Sequence, residues 1–520
     1  MSSFCCPHLS LFLPILLFFF LAGIRDQSVY AQALSAHQPA RIFHTDRDEG
    51  AAKADGVRRV MKSDDGCMSP YCPRSNSKLT QYPSGVRKPQ QNQYEICGLE
   101  PRVDAEESIR NFKPWLEASN ASGNFFGLRD RLSKQGINFG ISSINEVWGN
   151  TMGGIRTGSV YTSVTQCATT LDLEKLMGWQ GGSFYSRWIY LAGQDPGINL
   201  AGSLFGISAI GGNSTLRNIE LWLQQNILQD TISLRAGQIV ADSEFAISDY
   251  GAVFINNTFG WPAGLYTSIP NGGPAFPIGV PGVRLKLMPN DQFSLKAALF
   301  QGNVYPQNIN NHGFTWNLNS NQGYFYLTEA AYHYQCVLPG EIKTGCWLCS
   351  SRFQNFSNTN SATSDNYGIY AISDQMIYRS PDNNKRDNIS PMFAKPVRKE
   401  PPTRGLGCFN RMTLEPANNN LLHVYYDTGL NFRGLLPSRS QDIMGLALAY
   451  GLLSNDAIST IAQTQGTSLS QNTFDIEFTY QLQLTQWFTL QPDLQYVIHP
   501  GMTQALGNAL VVGLRTTIIF

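Results

Sequence analysis

The sequence predicts an all-β protein, a transmembrane antiparallel β-barrel of about 16 strands, and two observations carry this prediction. Apolar and polar residues alternate in segment after segment from residue 137 to residue 520, as they do in strands whose side chains point in turn to opposite faces. The connections between the segments also alternate between short and long, which is the pattern of periplasmic turns and outer loops in bacterial outer-membrane barrels. A soluble β-sandwich has no physical reason to keep such a rhythm.

The composition agrees with a barrel and argues against other classes of protein. Charged residues make up 15% of the chain and aromatic residues 12%, with 47 glycines, whereas soluble domains usually carry about a quarter of charged residues. The formal net charge of zero argues against a nucleic-acid-binding protein. No run of about 18 apolar residues follows the N-terminal leader, so a helical membrane protein is not expected.

Three regions precede the predicted barrel. Residues 1–33 are predicted to be a signal peptide, because an apolar block from Leu9 to Ile24 is followed by a small-x-small pattern at Ala31 and Ala33. An uncleaved anchor helix is the alternative, although the block is short for a membrane span. Residues 34–110 show no periodicity and are predicted to form an irregular periplasmic extension. Residues 111–136 are predicted to be an N-terminal helical segment that leads into the barrel at 137–520.

Sixteen alternating segments can be placed along the barrel region. The last of them is typical of a membrane-facing strand, because Val512 and Leu514 lie on one face while Arg515 lies in mid-strand on the other. We expect the barrel-assembly machinery to recognise this C-terminal strand. The predicted strands are 137–148, 162–174, 183–192, 217–226, 231–239, 280–289, 291–301, 323–335, 340–352, 367–378, 404–415, 421–433, 440–453, 471–484, 486–498 and 508–520.

The number of strands bears on what the interior can hold. About sixteen strands enclose a water-filled lumen, whereas eight strands are filled by their own side chains. The longest outer loop, residues 240–279, is predicted to fold inward and narrow the lumen. The connection at 379–403 is long where a short turn is due, and the alternation gives no reason for this insertion.

Several motifs between residues 120 and 520 together resemble one known family, the carbohydrate-selective porins of the OprB type. The motifs are Asn124-Phe125-Phe126-Gly127-Leu128-Arg129, Leu171-Asp172-Leu173-Glu174-Lys175-Leu176, Leu234-Arg235-Ala236-Gly237-Gln238, Phe259-Gly260-Trp261-Pro262-Ala263, Pro270-Asn271-Gly272-Gly273-Pro274-Ala275, Pro281-Gly282-Val283-Arg284-Leu285, Gly434-Leu435-Leu436-Pro437 and Gln491-Pro492-Asp493-Leu494-Gln495-Tyr496-Val497. The resemblance implies an outer-membrane barrel of a Gram-negative bacterium that passes monosaccharides and related small carbohydrates by facilitated diffusion, without a cofactor. The extension before residue 110, the insertion at 379–403 and the cysteines Cys336, Cys346, Cys349 and Cys408 depart from the family pattern.

A sugar pore needs weak donors and acceptors facing water, together with flat apolar faces for the sugar ring. Eleven residues on the inward parity or in the 240–279 loop offer such groups: Arg217, Glu220, Trp222, Arg235, Asp242, Glu244, Asp249, Trp261, Arg284, Lys286 and Lys296. For each charge the alternative is that it merely solvates the lumen wall.

Other functions remain as alternatives to the sugar pore. A general or anion-leaning diffusion porin has the same architecture, and a plugged structural or adhesive barrel or an outer-membrane hydrolase comes further behind. His333, His423 and His499 lie in or beside separate strands, with no metal spacing and no nucleophile turn near them, so the chain is not expected to be an enzyme or to hold a metal. The expected partners are small carbohydrates and outer-membrane lipids, but no nucleic acid. Whether the barrels form homotrimers is left open.

Overall fold

The computed structural model describes residues 118–316, 318, 322–357, 362–363, 365–380 and 404–520. The predicted signal peptide at 1–33, the extension at 34–110 and most of the insertion at 379–403 lie outside these residues.

Sixteen strands of the described residues close into one antiparallel barrel. Each strand pairs with its neighbours in sequence, and the last strand pairs with the first, so the ring has no open edge. The barrel strands are β1 Ile137–Met152, β2 Gly158–Asp172, β3 Gly182–Gly193, β4 Thr215–Ile227, β5 Ile232–Ile239, β6 Val280–Leu287, β7 Phe293–Gln301, β8 Tyr324–Gln335, β9 Pro339–Cys349, β12 Asn366–Arg379, β13 Gly405–Leu414, β14 Leu422–Arg433, β15 Ile443–Leu453, β16 Asn472–Gln483, β17 Phe488–Ile498 and β18 Ala509–Ile519, and a separate two-residue pair is formed by β10 Phe353–Gln354 and β11 Ala362–Thr363.

Short helices lie between the strands. They are α1 Leu128–Lys134, α2 Leu173–Met177, α3 Asn257–Gly260, α4 Ala263–Ser268 and α5 Asn455–Gln465. Among the described residues, no helix is both long and apolar enough to cross a membrane.

The prediction of about sixteen antiparallel barrel strands is confirmed, and the differences lie at the ends of elements. The second strand stops at Asp172 rather than residue 174, because the Asp172 carboxylate caps α2 by accepting the backbone N–H groups of Glu174 and Lys175 at 3.1 Å each. Of the predicted helical segment 111–136, residues 111–117 lie outside the described residues, residues 118–127 form bends and turns, and α1 covers Leu128–Lys134.

The two faces of the wall are as the alternation predicts. On β16 the Asp475 and Glu477 side chains are fully buried in the interior, while Phe478, which directly follows Glu477, is 44% exposed on the outside. On the neighbouring β15, Leu446 is 52% exposed and lies opposite Phe478 in the register. A one-residue slip would exchange the faces of a whole strand, so the register is set by the need to keep these groups on their own sides.

The seam of the barrel joins β1 to β18. Glu146 lies opposite Arg515 in the register, and the Arg515 Nε atom donates to the Glu146 Oε1 atom at 2.6 Å. The same carboxylate accepts the Trp148 indole N–H at 2.7 Å. Below the seam, Arg129 on α1 donates to the backbone carbonyls of Phe139 at 2.9 Å and Phe520 at 3.1 Å. The first and last strands are therefore fastened by side chains as well as by the strand ladder.

Candidate functional site: two loops inside the barrel

The loop between β5 and β6, residues 240–279 and called L3 below, folds into the barrel as predicted. Its first limb runs along the inner wall from β8 to β16. The Ala246 N–H donates to the Glu329 carboxylate of β8 at 2.8 Å, and the N–H groups of Ile255 and Asn256 donate to the Glu477 carboxylate of β16 at 2.6 and 2.9 Å. Carboxylates of the wall thus hold L3 in place by accepting hydrogen bonds from its backbone N–H groups.

The second limb of L3 contains α3 and α4. The Thr258 hydroxyl donates to the Tyr425 hydroxyl of β14 at 2.6 Å, and the Asn366 amide of β12 donates to the Ser268 carbonyl at 2.9 Å. At Gly264 a Cβ atom would lie 1.8 Å from the Thr413 hydroxyl of β13, so only glycine lets the loop approach the wall this closely.

A second loop, residues 194–214 between β3 and β4 and called L2 below, also folds inward, and the sequence analysis missed it. The Ser203 hydroxyl donates to the Asp475 carboxylate and the Ser208 hydroxyl to Glu146, both at 2.6 Å. The Ala209 N–H donates to the Ile255 carbonyl of L3 at 2.9 Å. The signal was in the sequence, because residues 204–210 carry four bulky apolar side chains that an outer loop in water would not need: Leu204, Phe205, Ile207 and Ile210.

Glu244, at the start of L3, bridges two arginines of the wall. Its Oε1 atom lies 2.6 Å from the Arg235 Nη1 atom, and its Oε2 atom lies 2.8 Å from the Arg284 Nε atom. Arg235 and Arg284 lie opposite each other on β5 and β6, so their mutual repulsion is offset by the one carboxylate between them. All three side chains are less than a tenth exposed.

A second charged group adjoins the first on β3 and β4. Arg187, which sequence reasoning did not select, pairs with Glu220 at 2.8 Å. The Trp222 ring stacks on Tyr185 with ring centroids 4.8 Å apart, and the Arg235 guanidinium lies 3.8 Å from the centre of the Trp222 ring. This aromatic and cationic stack fixes the side chains in place, because cation–π contacts strengthen when they are shielded from water.

The two predicted lysines differ in their partners. The Lys296 ammonium lies 2.5 Å from the Glu329 carboxylate and also donates to the Glu244 backbone carbonyl. Lys286 is half-buried on β6, and no carboxylate of the described residues lies within ion-pair distance of its ammonium. Lys286 is therefore a cation of the wall whose charge is not offset by direct contact.

The structure does not bring all eleven predicted residues together. Arg217 is fully buried on β4 and donates to the Asn310 carbonyl, away from the Glu244 group. Asp249 lies further along L3, in a cluster with Glu341 and Asp374. Carboxylates so grouped could hold a cation, but the Lys343 ammonium already lies 3.2 Å from Glu341. Trp261 is 3% exposed and donates its indole N–H to the Phe245 carbonyl at 3.1 Å.

A cavity of about 360 Å³ is lined by L3 and, on one side, by Ala209 of L2. Its wall combines flat apolar groups with amide and carboxyl groups, which is the mixture that a sugar ring and its hydroxyls require. Of the predicted residues, Asp242 and Trp261 line it. The other lining residues are Ala209, Asn257, Gly260, Tyr266, Asn271, Gly272, Gly273, Ala275, Phe276, Pro277 and Ile278.

Two cavity residues are themselves fixed by hydrogen bonds. The Asp242 carboxylate accepts the Phe276 N–H at 2.7 Å, which ties the two ends of L3 together. The Tyr266 hydroxyl donates to the Leu204 carbonyl of L2 at 2.9 Å. Burial raises the pKa of the Tyr266 hydroxyl well above its usual range, so this hydroxyl keeps its proton and its role as a donor between the loops.

Sixteen antiparallel strands closed around inward-folded loops define a porin. The family can be named as well, because residues 156–520 match the family model described as carbohydrate-selective porin, OprB family, and the chain belongs to that family. Its barrel accordingly lies in the outer membrane of a Gram-negative cell.

Individual relatives agree with the family match. Porin B of Pseudomonas aeruginosa is 21% identical over 470 residues, which cover 81% of this chain and 95% of that protein. The putative porin QuiX of Acinetobacter baylyi is 20% identical over 434 residues, which cover 76% and 92%. A high-pH structure of OprB from Pseudomonas putida superposes with a TM-score of 0.66 at 20% identity, covering 78% of this chain and 99% of that one. That last likeness shows the shared fold.

Proposed function

We propose that the protein is a passive pore for monosaccharides and related small carbohydrates, and that the cavity lined by L3 and by Ala209 of L2 is where it recognises them. The observation that carries this proposal is the cavity lined by Trp261, Phe276 and Tyr266 together with Asp242, Asn257 and Asn271. Membership of the carbohydrate-selective porin family supports the same substrate class. Passage down a gradient needs no cofactor and no catalytic group.

Within this proposal the eleven predicted residues divide into two roles. Asp242 and Trp261 line the cavity and supply an acceptor and a ring face, and Lys286, half-buried on β6, supplies a donor. The remaining residues act mainly by shaping the wall, because their charges are already engaged with one another or with the backbone: Arg217, Glu220, Trp222, Arg235, Glu244, Asp249, Arg284 and Lys296.

Asn271 is a further sugar-binding residue of this proposal, in addition to those predicted from the sequence. Its Nδ2 atom donates to the Val304 carbonyl at 2.7 Å, and the residue lines the cavity. The amide is thus held in one orientation, which leaves its oxygen as a fixed acceptor for a sugar hydroxyl. A neutral hydrogen bond of this kind contributes about 0.5–1.5 kcal/mol, weak enough for release.

The proposal is tested by current block in a planar bilayer. Glucose added to the purified protein should reduce the single-channel current in a concentration-dependent way, and Asn257→Ala should weaken this block about 2- to 10-fold, the factor expected for one neutral hydrogen bond. Asn303→Ala, outside the cavity, is the matched control. A channel that conducts salt without any sugar-dependent block would establish the general or anion-leaning porin instead, and no conductance at all would establish a plugged barrel.

Recognition by the barrel-assembly machinery and assembly into homotrimers remain predictions. The outward row of β18, with Val512 and Leu514 exposed to more than 40%, supports recognition of this strand by the barrel-assembly machinery. Homotrimeric assembly is to be determined by cross-linking of the purified protein in its membrane.

A further inference from the structure

Two neighbouring strands of the barrel are too short to span a membrane by themselves. β5 and β6 have 8 residues each, whereas β4 has 13 and β8 has 12, and a tilted transmembrane strand needs about 9–11 residues. The pairing of β4 with β5 ends at Leu221, opposite Gln238, while β4 itself continues to Thr215 at its outer end. Because backbone polar groups cannot be left facing lipid, other residues have to complete the wall beyond β5 and β6.

The loop between β7 and β8 lies at this position. Its residues 302–316 are called L4 below. The Asn218 N–H of β4 donates to the His312 carbonyl of L4 at 3.1 Å, and the His312 Nδ1 atom lies 2.9 Å from the Leu216 carbonyl oxygen. At Gly313 a Cβ atom would lie 1.9 Å from the Asn218 carbonyl oxygen, so only glycine lets L4 lie this close to β4. L4 therefore occupies the place of a neighbouring strand along the outer end of β4.

L4 covers two polar side chains on the outer face of the wall. Gln238 shares that face of β5 with Leu234, because residues four apart in a strand point the same way; Leu234 is 44% exposed, but Gln238 is buried. Asn218 lies opposite the outward-facing Trp188 of β3 and is also buried. The Trp316 indole N–H of L4 donates to the Gln238 side-chain carbonyl at 2.8 Å. Amides facing lipid without partners would be strongly unfavourable, so L4 protects them from the membrane side.

The surface that L4 turns away from the barrel is apolar. Ile309, Phe314 and Trp316 are each more than 40% exposed. The Phe314 ring packs edge-on against Trp188 on the outer face of β3, with ring centroids 5.7 Å apart. Leu216, next to these rings on β4, is itself 54% exposed. The apolar surface of L4 thus adjoins the outward-facing side chains of β3 and β4, which face lipid.

We propose that L4 is part of the membrane-spanning wall and that acyl chains of the outer leaflet lie against Ile309, Phe314 and Trp316. The short strands β5 and β6 require such a cover, and the buried amides of Asn218 and Gln238 show on which side of the wall it lies. Continuity with the lipid-facing wall identifies the partner as hydrocarbon, and aromatic rings near the outer ends of strands are typical of the girdle of a membrane barrel. The inference concerns the wall of the barrel and holds whichever solute the pore passes.

Quenching of tryptophan fluorescence by lipid tests the proposal on the full-length protein. Phe314→Trp adds a reporter to the outer surface of L4 without changing any residue of the cavity. Val337→Trp, in the exposed turn between β8 and β9, is the matched control outside the wall. Each protein is reconstituted in phosphatidylcholine vesicles and in vesicles of the same lipid with dibrominated acyl chains. Iodide is added in a separate titration as the quencher in water.

The emission added by Phe314→Trp should be quenched by the brominated lipid and little by iodide, whereas the emission added by Val337→Trp should be quenched by iodide. In the converse variant, Trp316→Phe, the lipid-quenched part of the emission should be smaller than in wild type. A reporter at residue 314 that iodide quenches and brominated lipid does not would place L4 in water and overturn the proposal. A reporter protected from both quenchers would show that a second copy of the chain covers L4, which also overturns the contact with lipid.

A charge on the same surface provides a second test that does not depend on fluorescence. Phe314→Arg and Phe314→Leu both remove the ring contact with Trp188, but only the arginine brings a charge into the lipid-facing surface. The folded fraction after refolding into phosphatidylcholine vesicles should therefore fall several-fold for Phe314→Arg relative to Phe314→Leu. Equal folded fractions of the two variants would contradict the position of L4 in the membrane.

Discussion

Arg411 and Asp427 form a fully buried ion pair on the neighbouring strands β13 and β14, and the arginine also holds L3. Its Nε atom lies 2.9 Å from the Asp427 Oδ1 atom, and both side chains are completely inaccessible. The same guanidinium donates to the backbone carbonyls of Ala246 at 3.2 Å and Thr258 at 2.8 Å. One side chain therefore joins the first and second limbs of L3 to the wall.

We expect Arg411→Ala to lower barrel stability by about 3–5 kcal/mol, because it leaves the Asp427 carboxylate buried without its cation. The conductance should rise as well, since both limbs of L3 lose an anchor. Urea unfolding in detergent micelles and single-channel recording measure the two effects. Replacing both partners by apolar residues, Arg411→Met with Asp427→Leu, should recover part of the stability but not the narrow pore. Equal conductance in all variants would contradict the anchoring role of Arg411.

Ion selectivity should follow the cations of the wall. Glu244→Gln removes the carboxylate between Arg235 and Arg284, so the pore should become more selective for chloride over potassium. Lys286→Gln removes a cation that has no ion-pair partner among the described residues and should shift selectivity the other way. Reversal potentials in a potassium chloride gradient measure both shifts. Shifts of the same sign in the two variants would show that these groups do not set the field in the pore.

Ionisation of Glu415, which follows β13, should make the unfolding free energy of the barrel depend on pH. Burial raises the pKa of the Glu415 carboxyl from 4.5 to about 8, and Gly264 of L3 lies against it. Because the folded state binds this proton more tightly, its contribution to stability is complete below about pH 4.5 and is lost as the pH rises toward about 8. Within that window the loss is at most about 1.4 kcal/mol per pH unit.

Glu415→Gln should therefore flatten the fall in unfolding free energy between about pH 4.5 and about pH 8, the window given by the shift of that carboxyl. Glu174→Gln, on the exposed side of α2, should retain the wild-type slope. Denaturant titrations at a series of pH values provide the measurement, and identical slopes in wild type and Glu415→Gln would show that the Glu415 carboxyl is already ionised.

A charge on the outer wall should damage the barrel according to its depth. Leu446→Arg places an arginine in mid-strand on the lipid face and should cost about 2–4 kcal/mol. Val337→Arg adds the same charge in the turn between β8 and β9, where Val337 is 92% exposed, and should cost little. The neighbouring residue Gly445 faces the interior, but it cannot serve as the control position, since a Cβ atom there would lie 2.8 Å from the Phe254 ring. Comparable losses of folded protein at residues 446 and 337 would mean that the face assignment is wrong.

The fold could be predicted from sequence because lipid and lumen impose opposite polarities on alternate residues. In β16 the order Phe474, Asp475, Ile476, Glu477, Phe478 leaves a single register that keeps the acids inside. The inward path of L3 could be expected from its length. The fold of L2 could have been suspected from its apolar residues, but its contacts with Asp475 and Glu146 depend on strands far away in sequence.

The candidate site was predicted in its residue types and less well in their grouping. The alternation of inward-facing and outward-facing residues along β5 and β6 placed Arg235 and Arg284 on the inner wall, and they do lie there. Parity could not show that Glu244 would engage both of them, because that contact depends on the path of L3 after it leaves β5. For the same reason the separation of Asp249 from the other residues, further along L3 beside Asp374, could not be foreseen.

The seam between β1 and β18 depends on the register of every other strand in the barrel. Glu146 and Arg515 meet although 369 positions separate them along the chain, so in the finished barrel their contact joins the first strand to the last. A strand lost or slipped in between would bring the two ends together in the wrong stagger, with the acid and the arginine facing other residues. Two open sheet edges would then remain, ready to pair with another chain. The native stagger of the seam therefore depends on the number and register of all the strands between its two ends, and the Glu146–Arg515 ion pair marks that stagger.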